Sequence, residues 1–132
     1  MIVDASAVLA ILKEEAPAQS CAIALENSRA SRISAANWLE ASIVVDSSRD
    51  PVASRRFDEL VKEARLTVEP VTTDQARIAR EAYRDFGKGS GHPAQLNFGD
   101  CFAYALAKAL DEPLLFTGRD FIHTDITPAT SG

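Results

Sequence analysis

The first seven residues, Met-Ile-Val-Asp-Ala-Ser-Ala, constrain the fold more than any other stretch of the chain. A short apolar strand stops at Asp4, and a helical stretch from Ser6 to Lys13 follows, with Ser6 as its expected N-cap. A strand that ends on a carboxylate and passes at once into a helix is typical of an open α/β sheet. In such sheets ligands and chemistry collect at the carboxyl ends of the strands. We therefore expect Asp4 to lie at a functional edge.

The rest of the chain alternates short apolar strands with longer helical stretches. The further predicted strands are 32–34, 66–71, 113–116 and a short last one near 125–127. The further predicted helices cover about 17–27, 35–50, 52–64, 73–86 and 100–110, with Ser34 and Thr73 as expected N-caps. This alternation predicts an α/β fold with a mostly parallel central sheet covered by helices on both faces, a three-layer α/β/α sandwich.

Length and composition limit what the fold can belong to. The 132 residues suffice for one domain with one core, so we predict a single domain over 1–132 with a loose tail from about residue 128. No apolar run approaches eighteen residues and no signal peptide is recognisable, so a cytoplasmic location without membrane contact is expected. Cys21 and Cys101 form no C-x-x-C pair and are interpreted as reduced, buried residues.

Four carboxylates lie in comparable contexts along this pattern: Asp4, Glu40, Asp100 and Asp120. Each also has an ordinary structural explanation. Asp4 and Asp120 can serve as turn or cap residues, Asp100 can cap the sixth helix through the helix dipole, and Glu40 can reach solvent around the rim of its helix. Their common position at the start of elements that follow or pack beside parallel strands favours one acidic pocket.

In the third helix, one face is expected to be traced by Ala36, Leu39, Ile43 and Asp46, with Trp38, Ala41 and Val45 beside it, and its apolar stripe is expected to be buried. Glu40 lies on the flank of that face. An unpaired carboxylate would be costly there, so Glu40 is expected to need a partner.

An acidic pocket of this kind points to a hard divalent cation. At about 4 Å two like charges repel by about 1 kcal/mol in water and about 4 kcal/mol at an effective dielectric of 20. Such a cluster therefore persists only with a bound cation or a protonated member. The candidate ligands are all oxygen, with no histidine or cysteine at suitable spacing, which favours Mg²⁺ or Mn²⁺ over zinc. A cation held in this way polarises a phosphoryl oxygen and orients water for in-line attack, so phosphodiester hydrolysis is the natural chemistry.

Four motifs carry a resemblance to a known family. They are Met1-Ile-Val-Asp4-Ala-Ser6-Ala, the helix that contains Glu40, Asn97-Phe-Gly-Asp100-Cys101-Phe-Ala-Tyr-Ala-Leu-Ala, and Leu114-Leu-Phe-Thr-Gly-Arg-Asp120-Phe121. Together they resemble the motifs of PIN-domain ribonucleases, specifically the VapC-type toxins of bacterial toxin-antitoxin pairs, over nearly the whole chain. One spacing differs. Many members carry Thr-x-Asp, whereas Gly118 and Arg119 follow Thr117 here and the acid arrives one residue later.

The resemblance implies specific roles. Asp4 and Asp100 would hold Mg²⁺ or Mn²⁺, Glu40 and Asp120 would complete the acidic pocket, and Ser6 would support Asp4 through a hydrogen bond. The implied activity is endonucleolytic cleavage of structured RNA such as tRNA or rRNA. The implied partners are a second copy of the chain and a cognate VapB-type antitoxin that inhibits it. The shifted acid leaves one alternative open, a non-catalytic PIN-like interaction module.

Basic residues offer a further candidate for RNA contact. The formal net charge of −5 argues against binding nucleic acid by bulk electrostatics, but a local basic patch remains compatible with it. Arg77, Arg80 and Arg84 lie at i, i+3 and i+7 on one face of the fifth helix. This stripe is either a solvated helix face or a contact for RNA phosphates. His92 and His123 are interpreted as surface residues.

Overall fold

The computed structural model describes residues 1–130. Ten elements follow one another in these residues: β1 Ile2–Val3, α1 Ala5–Leu12, α2 Ala18–Asn27, β2 Ser31–Ser34, α3 Ala35–Ser47, α4 Pro51–Glu63, β3 Leu66–Glu69, α5 Thr73–Phe86, α6 Phe98–Leu110 and β4 Leu114–Leu115.

The four strands form one all-parallel sheet in the order β3-β2-β1-β4, which confirms the predicted α/β class. Because all strands run the same way, their carboxyl ends lie at one edge. The first strand is central: Ile2 pairs with Arg32 of β2 and with Leu114 of β4. The residue that follows β1 is therefore flanked on both sides by the chain leaving neighbouring strands.

Helices cover both faces of the sheet, and the alternation of strand side chains assigns each face its own core. Ile2 and Leu114 point toward α5 and α6, and they pack in a cluster with Leu106 and Phe121. Val3 and Leu115, one residue further along the same strands, pack in a second cluster against α1 to α4. Strands β1 and β4 are buried on both sides, as expected for short, continuously apolar parallel strands, whereas the edge strand β3 exposes Thr67 and Val68.

At three helix starts the first residue or the N-cap lies one or two residues earlier than predicted, because other side chains cap these helices. Asp4, rather than Ser6, is the N-cap of α1, and its carboxylate accepts from the Ser6 backbone. Thr72, rather than Thr73, caps α5. Helix α6 begins at Phe98 with Asn97 as N-cap, so Asp100 is its third residue rather than an opening residue.

The predicted apolar face of α3 is partly wrong: Ala41 and Val45 are buried and Trp38 packs against them, but the face traced by Leu39 and Ile43 is not buried. The buried residues of this helix are Asn37, Ala41, Ser42 and Val45. Leu39 and Ile43 are 51% and 58% exposed. The helix carries two apolar rows, and the one with the small side chains Ala41 and Ser42 packs inward, where it allows close approach of the neighbouring helices.

Between β4 and residue 130, where the described part of the chain ends, there is no further strand, which corrects the prediction of one near 125–127. A single parallel bridge joins Leu114 to Pro128, and the Ala129 backbone donates to the Leu114 carbonyl. Asp125 accepts from the Tyr104 hydroxyl at 2.7 Å and from the Lys108 ammonium at 2.9 Å. The chain is thus attached to the sheet edge and to α6 up to this point. The rest of the predicted loose tail, residues 131–132, lies outside the described residues.

Two smaller predictions also have an outcome. Cys21 and Cys101 are both free and buried, as expected. Across the described residues 1–130, none of the helices combines the length and the apolar character that crossing a membrane requires.

Candidate active site

Asp4 occupies the centre of the sheet edge and is almost fully buried, at 4% exposure. Its backbone N–H donates to the Leu115 carbonyl at 2.9 Å, so it continues the pairing of β1 with β4 for one residue. As N-cap of α1, its Oδ2 atom accepts from the Ser6 backbone N–H at 3.1 Å. The Ser6 hydroxyl in turn accepts from the Thr117 backbone N–H at 3.0 Å and so connects α1 to the loop after β4.

The environment of Asp4 disfavours its charge. Burial raises the pKa of this carboxyl to about 6, and the nearby Glu40 charge acts in the same direction. Hydrogen bonds from Ser6 and from the Ala5 backbone oppose that shift without cancelling it. The support from Ser6 that the resemblance implied is therefore present, through backbone and hydroxyl together.

Asp100 lies beside Asp4 on the first turn of α6. A reciprocal capping box fixes it: its N–H donates to Asn97 Oδ1 at 2.9 Å, and its Oδ2 accepts from the Asn97 N–H at 3.0 Å. Burial is the main reason that the pKa of Asp100 is raised to about 8. Contact with the Asp120 carboxyl and the charges of Asp4 and Asp120 raise it further, whereas the hydrogen bond from the Asn97 backbone lowers it.

Asp120 reaches this position although it arrives one residue late in sequence. Gly118 adopts a positive φ of 83°, a conformation that glycine adopts without steric cost, and the turn it forms carries the chain around to Asp120. The Asp120 carboxyl lies against that of Asp100, while the residue itself is exposed. The structure thus brings the fourth predicted carboxyl to the same edge.

Glu40 lies near Asp4 as well, and the reasoning that predicted it was partly wrong. The residue is exposed, so the expected cost of burying its charge does not apply. It nevertheless has a partner. Its Oε1 atom accepts from Asn37 Nδ2 at 3.3 Å, and its carboxylate lies directly against Gly99 of α6.

The four carboxyls are neighbours in pairs rather than a closed cage. The charge of Glu40 acts on Asp4, and the charges of Asp4 and Asp120 act on Asp100. Within residues 1–130, no three acidic, histidine or cysteine side chains converge as a ready-made metal-binding group. Nor does any lysine, arginine or histidine in this range form an ion pair with these four residues. The charge of the pocket is therefore not compensated by the chain's own ion pairs.

Two asparagines were not predicted as site residues. Asn97 was recoverable from the sequence, because Asn-x-x-Asp before an apolar run has the spacing of a capping box. Asn37 was not, because its role depends on a contact with Gly99, 62 residues away. The only local signal was its position three residues before Glu40, on adjacent turns of the same helix.

Comparisons with known proteins agree with this geometry. The family model described as PIN domain matches residues 1–126. Ribonuclease VapC28 of Mycobacterium tuberculosis is 60% identical over 129 residues, which cover 98% of this chain and 97% of the relative. Ribonuclease VapC42 of the same species is 52% identical over 129 residues, 98% of each chain.

Two solved structures share the fold at low sequence identity. Mycobacterium tuberculosis VapC20, described as a sarcin-ricin loop cleaving toxin, superposes with a TM-score of 0.71 at 15% identity, covering 96% of this chain and 95% of its own. A chain of a toxin-antitoxin complex from Klebsiella pneumoniae gives a TM-score of 0.68 at 15% identity, with coverage of 92% and 89%. The chain thus belongs to the PIN-domain family, and within it to the VapC ribonucleases.

Proposed function

We propose that the chain is a Mg²⁺- or Mn²⁺-dependent endoribonuclease toxin that cleaves structured RNA, tRNA or rRNA, and that a cognate VapB-type antitoxin inhibits it. One observation carries the proposal: four carboxyls, Asp4, Glu40, Asp100 and Asp120, lie as pairwise neighbours along the carboxyl edge of the sheet without a cationic side chain paired to them.

The residues fit a hard divalent cation. Asp4 and Asp100 are both nearly buried, and their raised pKa values mean that the protein alone disfavours their ionised forms. A divalent cation between them would remove that penalty, and the donor set is all oxygen. When bound, the cation would supply Lewis-acid polarisation of a phosphoryl oxygen and offset the charge that develops on it.

The chain's own residues would divide the remaining work by position. Asp4 and Asp100 sit on the rigid start of two helices, so they would hold the cation in a fixed place relative to the sheet. Glu40 and Asp120 are exposed, and they neighbour Asp4 and Asp100 respectively. They are accessible to water and to a phosphodiester, so they would orient the attacking water and accept its proton.

The partners follow from the family and from the charge of the pocket. A Klebsiella pneumoniae neighbour in fold is part of a toxin-antitoxin complex. An antitoxin segment that crosses the acidic edge and places an arginine there would pair with the carboxylates that otherwise bind the cation. We also propose a homodimer. Large exposed apolar side chains, among them Leu39, Ile43 and Phe98 at 78% exposure, supply surface that a second copy would cover.

The cheapest test is cleavage of labelled tRNA and rRNA by the purified chain, with Mg²⁺ and with EDTA. We expect cleavage only with the metal, and its loss in Asp4→Asn and Asp100→Asn, which remove a charge and keep the shape. Asp58→Asn, on the exposed face of α4, is the matched control and should cleave normally. Full cleavage by either site variant at equal folded fraction would contradict the proposal.

The same experiment tests the non-catalytic alternative. The absence of a ready-made three-ligand group among residues 1–130 is the observation that favours it. A wild-type chain that binds its antitoxin but leaves every RNA intact, with Mg²⁺ or Mn²⁺ present, would establish the interaction module instead.

A further inference from the structure

Asn37 is a fully buried polar residue on α3, facing the start of α6. Its Nδ2 atom donates to the Gly99 carbonyl at 2.9 Å and to Glu40 Oε1 at 3.3 Å. The amide orientation follows from these partners, because both are acceptors and only the NH₂ end can face them. The carboxamide thus joins the Glu40 carboxylate on its own helix to the backbone of another helix.

Gly99 completes this contact from the other side. It is the second residue of α6, immediately before Asp100, and a Cβ atom at this position would overlap the Glu40 carboxylate. Only a residue without a side chain leaves the Glu40 carboxylate in this position. The exposed carboxylate of Glu40 is therefore confined between the Asn37 amide and the Gly99 backbone, next to Asp4.

We propose that Asn37 is a positioning residue of the active site, which holds the Glu40 carboxylate against Gly99 and thereby fixes α3 to the catalytic end of α6. The inference rests on the proposed function, since it assigns Glu40 a role in cleavage. Asn37 itself acts only through Glu40. Of the four acidic residues, Glu40 is the one carried by a long, flexible side chain away from a helix end, so it gains most from such a constraint.

The unpaired oxygen of the Asn37 side chain makes it possible to distinguish this positioning role from a general contribution to stability. Its Oδ1 atom is buried and is the one such side-chain atom among the described residues without a hydrogen-bond partner. A buried acceptor without a hydrogen-bond partner lowers the free energy of unfolding. Asn37→Leu replaces the carboxamide with an apolar group of similar size, so it removes the unpaired acceptor together with the donor. For the stability of the fold, the loss of the Asn37 hydrogen bonds is therefore offset by the loss of the unpaired acceptor. For the position of the Glu40 carboxylate, nothing offsets the loss.

The decisive experiment is a double-mutant cycle between Asn37→Leu and Glu40→Gln in the full chain. Two readouts are measured: the single-turnover cleavage rate of labelled RNA, and the dissociation constant for Mn²⁺ without RNA, followed by electron paramagnetic resonance. Loss of a residue that orients a site carboxylate typically costs about 10- to 100-fold. We expect each single variant to lose about that much in rate, with parallel weakening of Mn²⁺ binding, and the double variant to be no worse than Glu40→Gln alone.

Two further variants sharpen the test. Gly99→Ala should displace Glu40 sterically and reproduce the loss of rate while the melting temperature does not fall, because alanine suits the helical conformation of this residue. Ser42→Ala is the matched control. Ser42 lies on the same buried face of α3, but its hydroxyl donates only to the Trp38 carbonyl of its own helix, so the rate should be unchanged.

Each remaining outcome decides the question. Losses that multiply in the double variant, or an Asn37→Leu rate within about threefold of wild type, would overturn the positioning role while leaving the proposed function intact. A wild-type chain that neither cleaves RNA nor binds Mn²⁺ would overturn the proposed function and this inference with it.

Discussion

At the scale of single residues, each acidic side chain of the site depends on a neighbour that is not acidic. Asp4 is held by Ser6, Asp100 by Asn97 and Glu40 by Asn37. Asp120 depends on the turn at Gly118, where φ is positive. The carboxylates were candidates from the sequence, Asp4 most plainly, because a charge directly after an apolar strand is conspicuous there. Their supports were harder to recognise, because an asparagine or a glycine is common in any helix start or loop.

The contribution of Asp120 can be tested by removing its charge alone. Because the residue is exposed and its carboxyl contacts Asp100, we expect Asp120→Asn to lower turnover by about tenfold or more with a nearly unchanged melting temperature. Asp111→Asn is the control. Asp111 is a left-handed C-cap at the far end of α6, a conformation that asparagine tolerates, so both rate and stability should stay the same. Normal turnover in Asp120→Asn would reduce the site to Asp4, Glu40 and Asp100.

At the scale of secondary structure, the start of α6 has two functions. Its capping box satisfies backbone N–H groups, and the same bonds orient Asp100 toward Asp4. The strand ends and helix caps of this chain therefore coincide with its site. Helix boundaries were predicted to within one or two residues, except that α3 ends three residues before its predicted end, since caps and periodicity are local signals. The buried face of α3 was not, since either of its apolar rows satisfies helical periodicity.

Removal of the α6 cap should affect stability and activity together. We expect Asn97→Ala to lower the free energy of unfolding by about 0.5–2 kcal/mol, the usual cost of removing an N-cap side chain. Cleavage should also slow, because the Asp100 N–H loses its acceptor and the capping box that orients the Asp100 carboxylate is broken. Urea unfolding and single-turnover rates would measure the two effects. Thr72→Ala removes the cap of α5, a helix that carries none of the four carboxylates, and should reproduce the stability loss without the loss of rate.

The arginine stripe of α5 remains a prediction that the structure refines. Arg77 pairs with Asp74 at 3.0 Å and Arg84 with Asp85 at 3.3 Å, whereas Arg80 forms no ion pair within residues 1–130. If the stripe binds RNA phosphates, Arg80→Ala should weaken binding most. The magnitude of the log K against log salt slope should fall by about 0.7 for each phosphate that the variant no longer neutralises. A slope that is unchanged after replacement of all three arginines would identify a solvated helix face.

At the scale of the whole molecule, the site sits between two cores and is organised by their packing. The cluster around α1 to α4 positions Glu40 and Asn37, and the cluster around α5 and α6 positions Asp100. Asp4 follows the central strand that contributes to both. Holding buried carboxyls close together therefore lowers the free energy of unfolding of the molecule, and this effect should be measurable.

The dependence of stability on pH and metal tests this cost. The folded pKa values of Asp4 and Asp100, about 6 and about 8, lie above the ordinary value of 3.8. The folded state thus binds more protons than the unfolded state between these limits. In EDTA, we expect the protonated Asp4 and Asp100 to make their full contribution to the free energy of unfolding below about pH 3.8. This contribution should be lost as the pH rises through 6 and 8.

Added Mg²⁺ should reverse this trend, because the cation favours the ionised forms and its binding stabilises the folded state. The measurement is the melting temperature from about pH 5 to 9 with EDTA and with Mg²⁺. Asp100→Asn should flatten the EDTA curve over the upper half of this range. Equal curves with and without the metal would contradict cation binding at this edge.

The sequence by itself determined the α/β class, the alternation of elements and the placement of Asp4 at a strand end. These depend on local periodicity, capping chemistry and the short range over which a strand passes into a helix. Only the tertiary structure decided which row of α3 is buried, that Glu40 is exposed yet confined by Asn37 and Gly99, and that Asp120 reaches Asp100 despite its shifted position. Those outcomes depend on strand order and helix rotation, which are set by packing between residues distant along the chain.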